Sequence, residues 1–377
     1  MDKSSILSAQ DMMNSIKNMN EKTMMTILIV IIFIIILSMV YYYYYMSNLS
    51  SYECSAIDSL YGKLNGKLRS INDADPNCSY LLRDYYIKSA YNCCSGGSYV
   101  NDFVETCVLK DIIKQGVRGL DFEIYSINDQ PVISTSTSDN YHLKDTYNSI
   151  PFGKALNIIR DYAFATATCP NPNDPIIVHL RIKSNNKKMY QNFAKLLEGY
   201  DSILLGKEYS FEYQGKNLGE VPLLQLQKKV IIVVDRINNS FLESKEFCEF
   251  INIASNSVFM RALHYYDIQF TPDMNELIDY NKRFMTIGMP DKGSNPPNPS
   301  AIVLRETGVQ MIAMRYQLFD TNLEENEIFF DLKGYAFALK PDKLRYIPIT
   351  IEDPPPQNPD NSYATRNISS DFYNFDI

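Results

Sequence analysis

The sequence contains no tryptophan and only three histidines, His142, His179 and His264. A mechanism that needs two or three histidines in one site is therefore tightly constrained. No Cys-x-x-Cys pair occurs, which argues against a structural zinc site. Positive charge is not in excess either, because 36 Lys and Arg residues face 44 Asp and Glu residues, and the pI is near 5.1. This balance argues against a general nucleic-acid-binding protein, which needs a basic face.

The composition of the 377 residues is that of a globular protein. Apolar residues make up 45% and charged residues 21% of the chain. This excludes a wholly disordered or collagen-like chain. The length fits a single α/β barrel with appendages.

Charged residues are absent between Lys22 and Glu53. The segment Met24–Val40 is apolar almost throughout, and five consecutive tyrosines, Tyr41–Tyr45, follow it. An apolar helix of this length spans the hydrocarbon core, and tyrosine rings favour the headgroup level. A buried core helix is the alternative, but nothing in the run is amphipathic. The sequence therefore predicts one uncleaved transmembrane anchor, residues 24–46.

The polar N-terminal segment, residues 1–23, carries Lys17 and Lys22 just before the anchor, whereas Glu53 is the first charged residue after it. The positive-inside rule thus favours a single-pass protein with a cytoplasmic N-terminus and its body on the opposite side. Four glycosylation-type triplets favour the same orientation and begin at Asn48, Asn77, Asn238 and Asn367. Such triplets also arise by chance in a chain rich in asparagine. Four cysteines lie close enough in sequence to allow disulfides: Cys78, Cys93, Cys94 and Cys107.

Strand and helix signals alternate over residues 55–350, which predicts a parallel sheet whose size suits a barrel. Strands are predicted at Tyr85–Tyr91, Val117–Tyr125, Pro131–Ser134, Pro175–Ile182, Lys229–Asp235, Phe284–Gly288, Val309–Gln317 and Tyr335–Leu339. Helices are predicted at Asp102–Gln115, Pro151–Thr166, Lys187–Tyr200, Phe241–Ala254 and Pro272–Tyr280, the last with Thr271 as its N-cap. The tail, residues 351–377, is rich in Pro, Asn, Asp and Ser and is predicted to be disordered.

Three ordered sets of segments resemble the catalytic core of eukaryotic phosphoinositide-specific phospholipase C. They are Tyr85–Gly97 with Cys107–Ile133, then Ile150–Ser184 with Lys229–Asp235, and finally Arg283–Asn295 with Gly308–Asp320 and Gly334–Arg345. The resemblance implies a (β/α)8 barrel of the TIM type, with an X-like part over about residues 80–236 and a Y-like part over about residues 255–345. It also implies calcium-assisted phosphodiester cleavage, in which two histidines act as acid and base and calcium activates the attacking inositol hydroxyl.

Carried over residue by residue, this chemistry is incomplete. The family's His-Asn pair reads Tyr91-Asn92, so the calcium-binding Asn is kept and the histidine is lost. The family's Glu-x-Asp motif reads Asp121-Phe122-Glu123, which puts both carboxylates on one side of a strand. An ordinary salt-bridged strand end is an equally good interpretation of that pair. The family's fourth ligand, a glutamate, falls at Arg181, whose guanidinium would repel calcium.

The position of the family's second histidine depends on the direction of counting. Counting forward from Pro131 gives Thr135, and counting back from Phe152 gives His142. His142 is therefore the candidate catalytic histidine, with a plain surface residue as the alternative. His179 is predicted to be a packed, hydrogen-bonded residue of the barrel interior.

The residues expected to contact substrate also diverge. Two phosphate-binding lysines of the family are replaced by Val233 and Asp235, which weakens binding of an anionic headgroup. The Arg-x-Tyr clamp reads Arg283-Phe284-Met285, and a serine before it corresponds to Ser255 or Ser257.

Three hypotheses follow. The first is a membrane-anchored, phospholipase C-like phosphoric diester hydrolase fold with a degenerate site, a pseudoenzyme that serves as a binding or structural module. The second is an active phosphodiesterase that uses His142 with Asn92, Asp121, Glu123 and calcium on a less charged phospholipid or glycerophosphodiester. The third is an envelope or surface binding module that reuses the fold. Membrane lipid and its phospholipid headgroups are the expected partners, and nucleic acid is not.

Overall fold

The structure, a computed structural model, describes residues 20–138, 143–348 and 364–377. The chain divides into two compact units, residues 1–345 and residues 346–377. The first unit contains a long N-terminal helix and a barrel. The second contains a small hairpin.

The N-terminal helix α1, Glu21–Tyr61, is 41 residues long and therefore about 60 Å from end to end. Asn20 caps its start, because the Asn20 side chain accepts a hydrogen bond from the Lys22 backbone N–H. Its apolar segment is exposed along its length and is long and apolar enough to cross a membrane. The last turns differ, since Ile57 and Tyr61 are buried against the barrel.

The remaining elements follow in chain order. The strands are β1 (Tyr85–Ala90), β2 (Gly119–Ile127), β3 (Gln130–Ile133), β4 (Ile150–Pro151), β5 (Ile176–Ile182), β6 (Val230–Asp235), β7 (Ile253–Ser255), β8 (Met260–His264), β9 (Met285–Met289), β10 (Met311–Met314), β11 (Phe337–Leu339), β12 (Asn367–Ser369) and β13 (Asn374–Asp376). The helices are α2 (Thr106–Lys114), α3 (Phe152–Tyr162), α4 (Lys187–Glu198), α5 (Lys245–Cys248), α6 (Tyr265–Gln269), α7 (Met274–Arg283), α8 (Ala301–Glu306) and α9 (Thr321–Lys333), and Ser210–Gln214 forms a left-handed turn.

Eight parallel strands form the barrel in the order β7-β6-β5-β2-β1-β10-β9-β8. The end strands β7 and β8 contact each other, so the barrel is nearly closed. Strand β11 pairs antiparallel with β1, and the β3–β4 hairpin extends from β2. The predicted TIM-type barrel is confirmed.

Side-chain alternation along the strands separates two cores. Leu120, Phe122 and Ile124 of β2 point outward and join the core between the sheet and its helices. The intervening Asp121 and Glu123 point inward. The interior is apolar near the start of the strands and polar near their ends, so the carboxyl end of the barrel, called the mouth below, carries the ionisable groups.

Local capping explains where the helices begin and end. The side chains of Asn186 and Asp320 accept backbone N–H bonds in the first turns of α4 and α9. Gly334 ends α9 at a φ of 72°, a backbone conformation that glycine adopts freely. Asp273 caps α7 by accepting from the Glu276 N–H, so that helix begins at Met274 and not at Pro272 as predicted.

Three further sequence predictions differ from the structure. Residues 241–254 do not form one helix, because they contain the short helix α5 and then the start of β7. Just before β7, the Asn252 side chain accepts a hydrogen bond from the Ile232 N–H of β6. No strand was predicted at β8, in which only Met260 is fully buried, so the apolar alternation typical of a strand is missing. The tail was expected to be disordered, but within residues 364–377 strands β12 and β13 pair antiparallel.

The end of α1 is fastened to the barrel by covalent and polar contacts. Cys54 forms a disulfide with Cys107, whereas Cys78, Cys93 and Cys94, which the sequence grouped with Cys107, are free thiols. Two hydrogen bonds join the same elements, from Ser50 Oγ to Glu105 Oε1 at 2.8 Å and from Gln115 Nε2 to the Tyr61 carbonyl at 2.9 Å.

Glu53 lies in this contact surface, and burial raises the pKa of its carboxyl to about 8, with a further contribution from a hydrogen bond to Asp102. Folded protein therefore keeps a proton that unfolded chain, with the ordinary value of 4.5, releases. The contribution of Glu53 to stability is fully present below pH 4.5 and is lost as the pH rises through about 8.

Replacing Glu53 by Gln should remove this pH dependence, because the amide can donate to Asp102 but does not titrate in this pH range. We expect the melting temperature of the wild type to fall relative to Glu53→Gln between pH 4.5 and about 8, measured by thermal denaturation across that range. Glu243→Gln, an exposed control, should follow the wild type. Parallel curves for wild type and Glu53→Gln would contradict the prediction.

Candidate active site

Ionisable side chains from adjacent strands meet inside the barrel mouth. The parallel register places Asp121 of β2 beside His179 of β5, and Glu123 beside Arg181. The Glu123 carboxylate thus faces the Arg181 guanidinium across two neighbouring strands, and the Asp121 carboxylate faces the His179 ring. All four side chains are less than 5% exposed, so these charges interact largely without water.

Arg181 is the centre of this cluster. Its Nη2 donates to Asn92 Oδ1 at 2.7 Å and to Asp121 Oδ2 at 2.9 Å, and its Nε donates to Asp121 Oδ1 at 3.1 Å. Its Nη1 lies 3.6 Å from Glu123 Oε2. Burial opposes the charge of Arg181, but Asp121, Tyr91 and Glu123 outweigh it and raise the guanidinium pKa well above its ordinary value.

Asn92 and Tyr91 follow β1 directly and complete this side of the mouth. Asn92 has a φ of 45°, in the left-handed region that asparagine tolerates better than most residues. The Tyr91 ring lies under the Arg181 guanidinium, 4.6 Å from its centroid. Burial raises the pKa of the Tyr91 phenol well above 10, so Tyr91 cannot replace the lost histidine as a base.

Glu123 is saturated with hydrogen bonds. Its Oε1 accepts from the Tyr125 hydroxyl at 2.8 Å and from Ser136 Oγ at 2.7 Å. Lys183 Nζ lies 3.9 Å away from the same oxygen. The carboxylate is therefore a structural member of the cluster and not an open ligand.

A buried histidine connects the cluster to the next strands. His179 Nδ1 lies 2.7 Å from Asp121 Oδ1, and its Nε2 lies 2.9 Å from Ser255 Oγ. Ser255 Oγ in turn donates to Asp235 Oδ1 at 3.3 Å. Burial alone would raise the pKa of the Asp121 carboxyl, but Arg181 and His179 outweigh burial and hold that pKa well below its usual range.

The oxygens expected to bind calcium do not fit such an ion. Asn92 Oδ1 and both Asp121 oxygens already accept from Arg181. Among residues 20–138, 143–348 and 364–377, no group of three or more His, Cys, Asp and Glu side chains has a metal-binding arrangement. Calcium needs six to eight oxygen ligands, and here a guanidinium stands among the few that are present.

Of the other predicted site residues, the fold brings one into this cluster and places another outside it. Ser255 joins the cluster, as described above. Arg283 does not, because it ends α7 just before β9 begins, at the opposite end of the strands, where its carbonyl accepts from Arg83 Nη1 and Asn217 Nδ2 at 2.9 Å. His142 lies outside the described residues.

Two further arginine and lysine positions were not identified from the sequence. Lys183 follows Arg181 by two residues and so continues the same inward row, a signal that the spacing alone provides. Arg315 follows β10, is fully buried, and lies 4.7 Å over the Tyr99 ring, which packs edge-on against Tyr91. It donates to Asn295 Oδ1 at 2.7 Å. No sequence motif pointed to it.

The sequence of this region matches a known family. The family profile described as phosphatidylinositol-specific phospholipase C, X domain, matches residues 78–236. A comparison with the curated proteins finds no match.

Solved structures share the fold at low sequence identity. PLC21 of L. pealei has a TM-score of 0.58 and 17% identity, over 71% of this chain and 38% of that one. PLC21 of S. officinalis has a TM-score of 0.56 and 17% identity, with the same coverage. A calcium-dependent phosphoinositol-specific phospholipase C from Pseudomonas sp, a Gram-negative bacterium, has a TM-score of 0.45 and 13% identity, over 70% of this chain and 97% of that one. The chain thus spans about 38% of the length of the two PLC21 chains.

Residues 78–236 thus match the X domain of phosphatidylinositol-specific phospholipase C. The resemblance seen in the sequence is therefore confirmed. The barrel mouth differs from the family pattern at Tyr91 and Arg181, where a histidine and a glutamate were expected.

Replacing Arg181 by Met should strongly destabilise the barrel, because it leaves Asp121 and Glu123 buried without their main counter-charge. Breaking a buried ion pair in this way costs about 3–5 kcal/mol. The measurement is the free energy of unfolding by denaturant titration. Lys187→Met, which removes the exposed partner of Glu243, serves as control and should leave the midpoint unchanged. Equal midpoints for Arg181→Met and wild type would contradict the structural role of Arg181.

Proposed function

We propose that this protein is a membrane-anchored pseudoenzyme of the phospholipase C type, which serves as a binding or structural module and does not cleave phosphodiesters with calcium. One observation carries the proposal: the Arg181 guanidinium bonds to Asn92 and Asp121, the oxygens that the family chemistry would give to calcium. A positive group fixed there neutralises the carboxylates internally. The neighbouring Tyr91 offers no base at neutral pH.

The anchor in this proposal is α1. Its apolar segment is exposed and long enough to span a bilayer, and the tyrosine run Tyr41–Tyr45 suits the headgroup level. The Cys54–Cys107 disulfide supports a barrel outside the cytoplasm, since disulfides persist in oxidising compartments. The N-terminus would then be cytoplasmic.

The first test is enzymatic. Full-length protein, reconstituted into vesicles that contain phosphatidylinositol, should release no inositol phosphate or cyclic product above background, with calcium or with a chelator. His142→Ala is the matched variant and should behave the same. Calcium-dependent release that His142→Ala abolishes would overturn the proposal in favour of the active phosphodiesterase.

A second test measures calcium binding directly. Arg181→Glu places a third carboxylate beside Asp121 and Glu123, so we expect a lower melting temperature without calcium and a recovery when calcium is added. At a hundredfold excess over Kd the recovery amounts to about 2.7 kcal/mol. Wild type and Arg181→Met, which adds no carboxylate, should show no calcium-dependent shift. A calcium-dependent shift in the wild type would mean that Arg181 does not exclude the ion.

A third test concerns topology. Among the four glycosylation-type triplets, Asn77 is exposed on the barrel, whereas the Asn238 amide is already bonded to the Ile182 and Ser184 carbonyls. Expressed in eukaryotic cells, the full chain should show a glycosidase-sensitive mass shift that Asn77→Gln reduces and Asn238→Gln does not. An unglycosylated wild type would argue for a cytoplasmic barrel.

A further inference from the structure

The hairpin of β12 and β13, residues 364–377, has no role in the proposed function. Backbone hydrogen bonds join Arg366 and Ile377 in both directions, at 2.6 and 2.8 Å, and the Ser370 N–H donates to the Tyr373 carbonyl at 2.8 Å. The strands therefore pair regularly around a two-residue turn, Asp371-Phe372. Every residue from 364 to 377 is exposed. Because an isolated two-stranded hairpin is marginally stable at best in water, this one needs a further surface to pack on.

The two faces of the hairpin differ in polarity, because side chains alternate along a strand. The apolar face carries Ile368, Tyr373, Phe375 and Ile377, and the polar face carries Asn367, Ser369, Asn374 and Asp376. Ile368 lies directly opposite Phe375, and the ring centroids of Tyr373 and Phe375 are 5.4 Å apart. The four apolar side chains are between 38% and 62% exposed. They form one continuous apolar face that nothing in the hairpin covers.

The two ends of the hairpin carry opposite charges. Arg366 lies at the open end, beside Ile377, and Asp371 lies in the turn, two residues before Tyr373. When two identical hairpins stack face to face in opposite directions, the Arg366 guanidinium of each copy meets the turn of the other. There it can pair with Asp371 and lie over the Tyr373 ring. The face is therefore self-complementary under two-fold symmetry.

The size of the apolar face indicates where its partner must be. Four such side chains offer roughly 400 Å² per copy, about half of the ~800 Å² that each partner of a standard stable interface buries. A contact this small does not hold freely diffusing proteins together. It is sufficient between molecules held on one surface, where the effective concentration is high. A second copy of the chain, anchored by its own α1, meets this condition.

We propose that the hairpins of two neighbouring copies stack through their apolar faces in opposite directions, as in sheet-on-sheet packing, and join the membrane-anchored copies into pairs. The partner is a second copy of this chain. The inference rests on the proposed anchoring by α1, which provides the local concentration, and is independent of the chemistry of the barrel mouth. Its two-fold axis passes close to Ile368 and Phe375, in the middle of the face.

Cysteine cross-linking tests this contact, because the hairpin contains no cysteine. Ile368→Cys places a thiol close to the two-fold axis, where it meets its counterpart in the other copy. Ser369→Cys, its exposed neighbour on the polar face, is the matched control. Each full-length variant is reconstituted into phosphatidylcholine vesicles and floated on a density gradient, which shows whether it is anchored. It is then treated with a mild oxidant, alongside the wild type, whose own free thiols set the background.

We expect Ile368→Cys to give a disulfide-linked dimer in several-fold higher yield than Ser369→Cys, with the wild type monomeric. Equal yields from the two variants in floated vesicles would overturn the inference and leave the anchor intact, since the hairpins would then meet only by random collision. A chain that does not float with the vesicles would refute the anchor, and this inference with it.

Charge reversal tests the opposite directions of the two hairpins. In the Ile368→Cys background, Arg366→Asp or Asp371→Arg alone puts like charges together across the axis, so each should lower the dimer yield. The two reversals combined should restore it, because opposite charges then meet again. If the combined variant stays as low as the single ones, the antiparallel stacking is wrong.

Discussion

The architecture of the barrel mouth depends on one buried guanidinium. Arg181 donates hydrogen bonds to Asn92 and Asp121 and provides a positive charge beside Glu123. The two carboxylates can therefore remain ionised although they are buried. A buried carboxylate without such a partner would take up a proton or unfold the barrel. The oxygens of Asn92 and Asp121 that the family chemistry assigns to a metal here accept hydrogen bonds from this guanidinium.

The sequence was sufficient to predict the barrel because most of its strands carry strong apolar alternation and lie in the family's order. It also located Asn92, Asp121, Glu123 and Arg181, since short motifs hold them at fixed spacing. What it could not provide was the pairing between strands. The inward rows of β2 and β5 are complementary in charge, but this becomes visible only when the register is known.

The residues that the sequence misplaced or did not identify likewise depend on contacts between segments that are distant in sequence. Arg283 was expected to contact substrate, but it ends α7 just before β9 begins, and the boundary between that helix and strand is not visible in a short motif. Cys54 was not grouped with the other cysteines because it lies 53 residues from Cys107 in sequence, and only the fold brings α1 beside α2. Arg315 was missed because its contact with Tyr99 joins the segments after two neighbouring strands, β1 and β10, that lie far apart in sequence.

The helix that carries the apolar segment continues without interruption into the barrel contact at Cys54 and ends only at Tyr61. A flexible linker would let the barrel rotate freely about its attachment. Here the helix is continuous, and the Cys54–Cys107 disulfide joins it covalently to the barrel, so a rotation of the helix is transmitted to the barrel. Turning the apolar segment about its own axis must therefore turn the barrel, so that any neighbour that sets the rotation of this segment also sets the direction in which the barrel's sides point.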